Sequence, residues 1–168
     1  METLLRSWTM EDAPGMARLM NNRNILNNLR DGIPYPYTTA DGEGYIRGVL
    51  EAPPHSQYCW AIAPEGMAVG SIGIFRGVNI HSRTGELGYW LGEDYGGRGI
   101  VTRAVEEACA RVFEATDLLR IFAEPFAWNT ASCRVLEKAG FAYEGTLRKN
   151  AVKNGQVIDM RLYALVRD

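Results

Sequence analysis

Apolar positions recur along this chain at two periods, and the period switches often enough to divide it into short segments. Around residues 58–63, 68–78 and 84–91 the apolar residues run or alternate as they do in strands. The connections between them, Pro64-Glu65-Gly66 and a turn over residues 79–83, have lengths that suit hairpins. Val101, Ala104, Val105, Ala108, Val112 and Phe113 then recur at helical spacing and predict a helix with one apolar face. Before the hairpins, residues 4–8 read as a first strand. Thr9-Met10-Glu11-Asp12 resembles a capping box, with Asp in place of Glu or Gln, and opens a helix through Met16, Leu19 and Met20. Residues 21–37 are polar and then turn-rich; Asp31-Gly32-Ile33-Pro34-Tyr35-Pro36-Tyr37 excludes regular helix. Residues 39–50 predict another helix, weakened by Gly42, Gly44 and Gly48 and ended by Pro53-Pro54.

Downstream, residues 120–123 form a short strand closed by Pro125. Asn129 is placed to cap a helix with Ser132, Val135, Leu136 and Ala139 on one face, and Gly140 to end it. Residues 141–147 and 157–166 make a closing hairpin, turned at Lys153-Asn154-Gly155. This order predicts an α/β (α+β) layered fold: a mixed, mostly antiparallel sheet with helices on its faces. It has seven strand segments and about four helices, in a single domain over residues 1–168.

The chemistry concentrates where the third hairpin strand hands over to the long helix, at Asp94-Tyr95-Gly96-Gly97-Arg98-Gly99-Ile100-Val101-Thr102-Arg103. Glycines let a backbone approach a ligand closely, and the first N–H groups of the helix lack intrahelical partners. Such a turn binds phosphate, which points to a phosphorylated cofactor. A dinucleotide fingerprint would need a glycine where Thr102 stands. A P-loop would need Lys-Ser/Thr where Arg98-Gly99 stands. An ordinary strand-to-helix turn is the plain alternative.

Composition removes other classes. With 46% apolar and 23% charged residues the chain reads as a soluble globular protein. A net charge of −2 offers no basic surface for nucleic acid. Cys59, Cys109 and Cys133 are odd in number and lack metal-ligand spacing, as do His55 and His81, so neither a disulfide framework nor a metal is expected. Met1-Glu2-Thr3-Leu4-Leu5-Arg6 does not read as a secretory leader, and no apolar run suits a membrane span, so a cytoplasmic location is expected.

Three segments resemble the GNAT superfamily of N-acetyltransferases, and more narrowly its RimJ/RimL-type branch. Glu86-Leu87-Gly88-Tyr89-Trp90-Leu91 followed by Tyr95-Gly96-Gly97-Arg98-Gly99-Ile100-Val101-Thr102 resembles the acetyl-CoA motif. Residues 129–141, from Asn129-Thr130-Ala131-Ser132 to Lys138-Ala139-Gly140-Phe141, are similar to the block that follows it in this branch. Asn28-Leu29-Arg30-Asp31 with Pro34-Tyr35-Pro36-Tyr37 is similar to the branch's opening segment. Against the superfamily's Gln/Arg-x-x-Gly-x-Gly/Ala, Gly96 and Val101 depart at the two ends and Gly99 is kept. Leu136 stands where many members carry a tyrosine that reprotonates the thiolate, and Ser132 matches the serine of this branch.

The resemblance implies an acetyl-CoA-dependent enzyme acting on a primary amine, either a small molecule or a protein N-terminus. It leaves a homodimer open. It assigns the cofactor to Tyr89, Leu91, Gly96, Gly97, Arg98, Gly99, Ile100, Val101, Thr102, Asn129 and Ser132. Arg30, Tyr35 and Tyr37 fall to the acceptor, with Trp8, Trp60 and Trp128 as further aromatics that could line its pocket; the plain alternative for the aromatics is the core, where most such side chains sit. Glu86 is the expected base, because a neutral amine must lose a proton as it is acylated. Beside Arg83 it also reads as a plain surface charge. Ser132 is the expected proton source for the thiolate, or else a small residue bonded to its own helix. The nearest backbone N–H groups for a developing oxyanion are those of Tyr89 and Leu91. Two rival readings are a catalytically silent acyl-CoA sensor and an unrelated enzyme using the turn for ATP or NAD.

Overall fold

The computed structural model describes residues 3–168; Met1 and Glu2, where the opening segment begins, lie outside the described residues. The expected first strand shortens to β1 (Leu5–Arg6). A single 3₁₀ turn, Met10–Asp12, precedes α1 (Ala13–Met20). Asp12 closes the capping arrangement, accepting from the Thr9 N–H at 2.9 Å while the Arg6 guanidinium holds both its oxygens. α2 (Arg23–Leu26) is a single turn capped by Asn22, and it lies inside the stretch read as polar loop. α3 (Thr39–Leu50) has the expected bounds, with Thr38 and Asp41 forming a reciprocal cap. Gly42 permits its close packing on α1, since a Cβ there would meet the Ala13 carbonyl oxygen at 3.0 Å.

Three antiparallel strands follow: β2 (Gln57–Ile62), β3 (Gly70–Arg76) and β4 (Thr84–Leu91). Next come α4 (Ile100–Ala115), β5 (Arg120–Ala123), α5 (Thr130–Lys138), β6 (Ala142–Lys153) and β7 (Gln156–Val166). Among the described residues the seven strands form one sheet in the order β1-β2-β3-β4-β5-β7-β6. Only β4 and β5 run parallel. The sheet therefore matches the expectation, while the α-helices among the described residues number five because α2 is added.

Each face of the sheet carries its own core. On one face α4 and α5 bury Ala104, Val105, Ala108, Val112, Cys133 and Leu136 against Ile72, Ile74, Leu87 and Ile121. On the other, α1 and α3 bury Met16, Met20 and Ile46 with Trp8 and Tyr37. Leu136 is wholly buried, which explains an aliphatic side chain at that position: it packs the α5 side of the core. Leu136→Ala is expected to cost about 2–5 kcal/mol in urea unfolding, by lost burial plus the residual cavity.

One local feature of the sheet shapes the site. The parallel register of β4 with β5 is Thr84↔Arg120, Gly85↔Ile121 and Glu86↔Phe122, and it stops there although β4 continues to Leu91. Pro125 has no N–H to extend the ladder. The chain beyond β5 instead follows β7: Arg161 donates to the Pro125 carbonyl at 2.9 Å and Phe126 bridges Met160. β4 and β5 thus part, and the far half of β4 has an open edge.

Candidate active site

Backbone alternation determines what this open edge offers. Gly92 N–H donates to Val69 O, and Gly77 N–H to Thr84 O, so the even-numbered residues of β4 bond to β3. Tyr89 and Leu91 then direct their N–H and C=O groups away from β3, into the gap left by β5. These are the two amides singled out from the sequence.

The glycine turn completes that edge. Gly97 and Gly99 have φ of +76° and +72°, left-handed values that favour glycine. Gly99 is the N-cap of α4 and offers no side chain, so the Ile100, Val101 and Thr102 N–H groups are left for a ligand. The first intrahelical bond of the helix comes only from Arg103 N–H to Gly99 O, at 3.2 Å. Arg98 folds back on the turn, donating to Asp94 O at 3.3 Å with its guanidinium over the Tyr95 ring. Gly96, Gly97, Arg98 and Gly99 are all exposed. The α4 dipole adds positive potential at this spot. A pyrophosphate fits such a donor set.

The two faces of the sheet hold different chemistry across the gap. Glu86 and Phe122 are register partners, and alternation puts Glu124 on their side of the sheet. Arg30, reaching over from the segment after α2, donates to Glu86 Oε2 at 2.5 Å and lies 3.7 Å from Glu124 Oε2. Burial pushes the Glu124 carboxyl above the usual carboxylate range, the Glu86 charge adds to the rise, and Arg30 opposes it. Two carboxylates and one guanidinium therefore form a unit. Glu86 is not the partner of Arg83, which bonds to Asp117 instead.

The opposite face presents hydroxyls. Asn129 caps α5 through its side-chain oxygen, which accepts from Ser132 N–H at 3.2 Å. Ser132 is half-buried, and its Oγ lies 2.5 Å from the phenolic oxygen of Tyr89. Ser132 is thus engaged across the gap by β4 rather than bonded back to its own helix. Burial pushes the Tyr89 phenol up to about 12, with Ser132 moderating the rise.

Residues 21–37 arch over the carboxylate face. Asn28 accepts from Trp128 Nε1 at 2.8 Å, Asp31 from Lys153 Nζ at 2.8 Å, and Glu93 from the Asn24 amide at 2.9 Å. Beneath the arch is a cavity of about 360 Å³ whose lining includes Arg30, Asp31, Glu124, Phe126, Asn150 and Lys153. The aromatics predicted for an acceptor wall divide. Tyr35 is half exposed, under the Arg23 guanidinium, and Trp128 is 42% exposed. Trp8 and Tyr37 are buried among the α1–α3 core, and Trp60 packs against the α4–α5 core.

Glu124 carries no signal of its own in the sequence. It sits between a four-residue strand and Pro125 with no local motif, and only the parallel pairing of β4 and β5 brings it to Glu86. No group of three or more His, Cys, Asp or Glu side chains fit to hold a metal occurs among the described residues. No helix among them is long and apolar enough to cross a membrane. Burial raises the Cys59 thiol to about 11 and the Cys109 thiol to about 12, as suits inert packing groups.

Comparison with known proteins yields a consistent set of relatives. The family profile described as the acetyltransferase (GNAT) domain matches residues 2–142. The probable N-acetyltransferase YjcK of Bacillus subtilis is 36% identical over 104 residues, covering 62% of this chain and 58% of that protein. The chain spans about half the length of the curated relatives it matches. Among solved structures, the ribosomal-protein-S5-alanine acetyltransferase of Vibrio fischeri superposes with a TM-score of 0.86 at 26% identity, covering 98% of this chain and 92% of that one. The RimJ of Mycobacterium smegmatis, solved in complex with CoA-disulfide, gives the same TM-score and identity over 96% of this chain and 80% of that one.

Proposed function

Because the chain belongs to the GNAT acetyltransferase domain family, we propose that it transfers an acetyl group from acetyl-CoA to a primary amine, with residues 1–168 as one catalytic domain. One observation carries the reading: the open edge of β4 runs into the glycine turn, with a carboxylate pair on one face of the sheet and a hydroxyl pair on the other. A direct transfer needs that arrangement. The amine must lose a proton on one side of the acyl group while the sulfur leaves on another.

The Gly97 to Thr102 backbone, backed by the α4 dipole, would hold the pyrophosphate, and Asn129 the pantetheine end. When bound, acetyl-CoA supplies an acyl group activated as a thioester. The Tyr89 or Leu91 N–H would donate to the carbonyl oxygen as negative charge develops there. Glu124, its basicity raised by burial and by Glu86, would take the proton that the amine loses as its new bond to carbon forms. Glu86 supplies that charge, and Arg30, which lines the cavity together with Glu124, ties the two carboxylates to each other. On the other face the Ser132 hydroxyl would hydrogen-bond the sulfur as it leaves as a thiolate and pass it a proton, which solvent returns to the serine.

The acceptor would enter beneath the arch of residues 21–37, with Arg30 and the exposed Tyr35 on its path. Tyr37 would support this wall from the core: its backbone N–H donates to the Asn21 side chain at 2.6 Å. Relatives named as acetyltransferases of ribosomal proteins favour a protein amine, which we take to be an N-terminus, over a small-molecule amine as acceptor. The reading sets the reaction in the cytoplasm, where the free thiols Cys59, Cys109 and Cys133 stay reduced.

Two measurements test this assignment. Acetyl-CoA is expected to raise the melting temperature where ATP and NAD at equal concentration do not; stabilisation by all three alike would return the turn to a general nucleotide site. Arg30→Ala should move the rising limb of the kcat/KM profile to higher pH. Arg30 lowers the Glu124 pKa, so removing it leaves the base protonated to a higher pH. A limb that stays in place would take Glu124 out of the reaction.

A further inference from the structure

We propose that Tyr89 is a positioning residue for acetyl transfer, its phenol donating to Ser132 Oγ and so freeing the serine's own proton to face the departing sulfur. Each hydroxyl has a single hydrogen to give, and they lie 2.5 Å apart. The phenol is much the stronger acid of the two, so it is the natural donor. Tyr89 Oη is also 3.4 Å from the Ser132 carbonyl oxygen, which gives it a second acceptor on the same residue. Both acceptors belong to Ser132, and no other side-chain partner of the phenol occurs among the described residues.

The contact restrains a serine that would otherwise turn elsewhere. Early in a helix, a serine hydroxyl commonly bonds back to a carbonyl of the preceding turn or to water. Here the backbone N–H of Ser132 is taken by the Asn129 cap, and its Oγ is occupied as an acceptor by Tyr89. The remaining donor is the Ser132 hydrogen itself. Tyr89 projects from the part of β4 that has lost its β5 partner, so the bond spans the gap at the level of the open backbone edge. The phenol, pushed up to about 12, stays protonated through any working pH and so keeps its donor role. Leu136, a turn further along α5, is wholly buried and cannot perform this task.

This inference rests on the proposed acetyl transfer, and the experiment separates the two. An inactive parent enzyme would sink the transfer itself, whereas an active parent indifferent to Tyr89 would sink only the positioning role. Tyr89→Phe keeps the ring and its packing. It should lower kcat by about tenfold, the effect of one aligned hydrogen bond. Its calorimetric affinity for acetyl-CoA and its KM should stay within twofold of the parent. Combining it with Ser132→Ala should give a loss no greater than Ser132→Ala alone, because both act through one hydroxyl. In the ligand-free protein a slowly exchanging phenolic proton resonance should vanish in Tyr89→Phe and shift in Ser132→Ala. The proposal is overturned if kcat of Tyr89→Phe remains within twofold of the parent, or if affinity falls with kcat. It is also overturned if the two losses multiply in the double variant, or if Ser132→Ala leaves the phenolic resonance unmoved.

Discussion

Glu124→Gln should lower kcat/KM for an amine acceptor by about 10²–10⁴ and remove the rising limb of the pH profile that is common to all acceptors. The amine's own titration also gives a rising limb, so acceptors of different amine pKa are needed to tell the two apart. The enzyme's limb stays fixed across the series and the amine's limb moves. Glu86→Gln is expected to behave differently, although both variants remove one negative charge. Glu86 raises the Glu124 pKa, so its loss lets that pKa fall. The fixed limb then shifts to lower pH and survives, and the rate drops less because a weaker base is still present. Should Glu86→Gln lose the limb while Glu124→Gln keeps it, the roles are reversed and the carboxylate held by Arg30 is the base.

Gly99→Val should weaken acetyl-CoA binding by at least tenfold, about 1.4 kcal/mol at 25 °C. Space is not the reason: a Cβ at Gly99 would meet no heavy atom within 4 Å. The cost is conformational. At φ of +72° a β-branched residue is strained by roughly 1–2 kcal/mol and relieves the strain by moving the turn, which re-aims the first N–H groups of α4. A methyl-bearing side chain also stands between backbone and ligand. Gly66→Val makes a control, since Gly66 has φ of +88° and open surroundings in the distant β2–β3 turn. It should lose comparable stability and retain acetyl-CoA affinity by calorimetry. Equal affinity in both variants would remove the glycine turn from the site.

Much of this arrangement is legible in the amino-acid sequence. The bounds of α3, β4 and β5 follow from capping residues, alternation and a closing proline, which are local signals. The family is legible too, because its motifs sit at the β4–α4 junction and along α5, where helix-start chemistry dictates the residues. Two elements escape the sequence pattern for local reasons. α2 is one turn with only Ile25 and Leu26 to mark a face. β6 extends past Leu147 to Lys153 through an irregularity, with Lys149 at φ of +51° and its N–H held by Asp159 Oδ1 at 2.8 Å. The expected strand stops at Leu147, whereas the chain detours over Arg148-Lys149-Asn150 and resumes pairing at Ala151.

The parts of the site that the sequence hides are relations between distant residues. Arg30 with Glu86, Glu86 with Glu124 and Tyr89 with Ser132 all join segments far apart in the chain. No periodicity encodes such pairs: the parallel β4–β5 register brings Glu124 to Glu86, the segment after α2 brings Arg30, and the placement of α5 beside β4 brings Ser132. Arg83 illustrates the converse. Adjacent in sequence to the Glu86 strand, it turns to Asp117, and proximity along the chain points to the wrong partner.

The most direct test of acetyl transfer is turnover itself, read at both ends of the reaction. Parent protein is incubated with acetyl-CoA and, in turn, peptides with free N-termini, a polyamine and an amino sugar. Thiol release is followed together with the mass of each acceptor. Acetyl transfer predicts thiol release that depends on the acceptor, matched mole for mole by an acceptor heavier by one acetyl group, with N-terminal peptides the best substrates. Acetyl-CoA that binds tightly yet yields neither thiol nor acetylated amine above background would contradict it, and the chain would then be an acyl-CoA-binding sensor on an acetyltransferase fold.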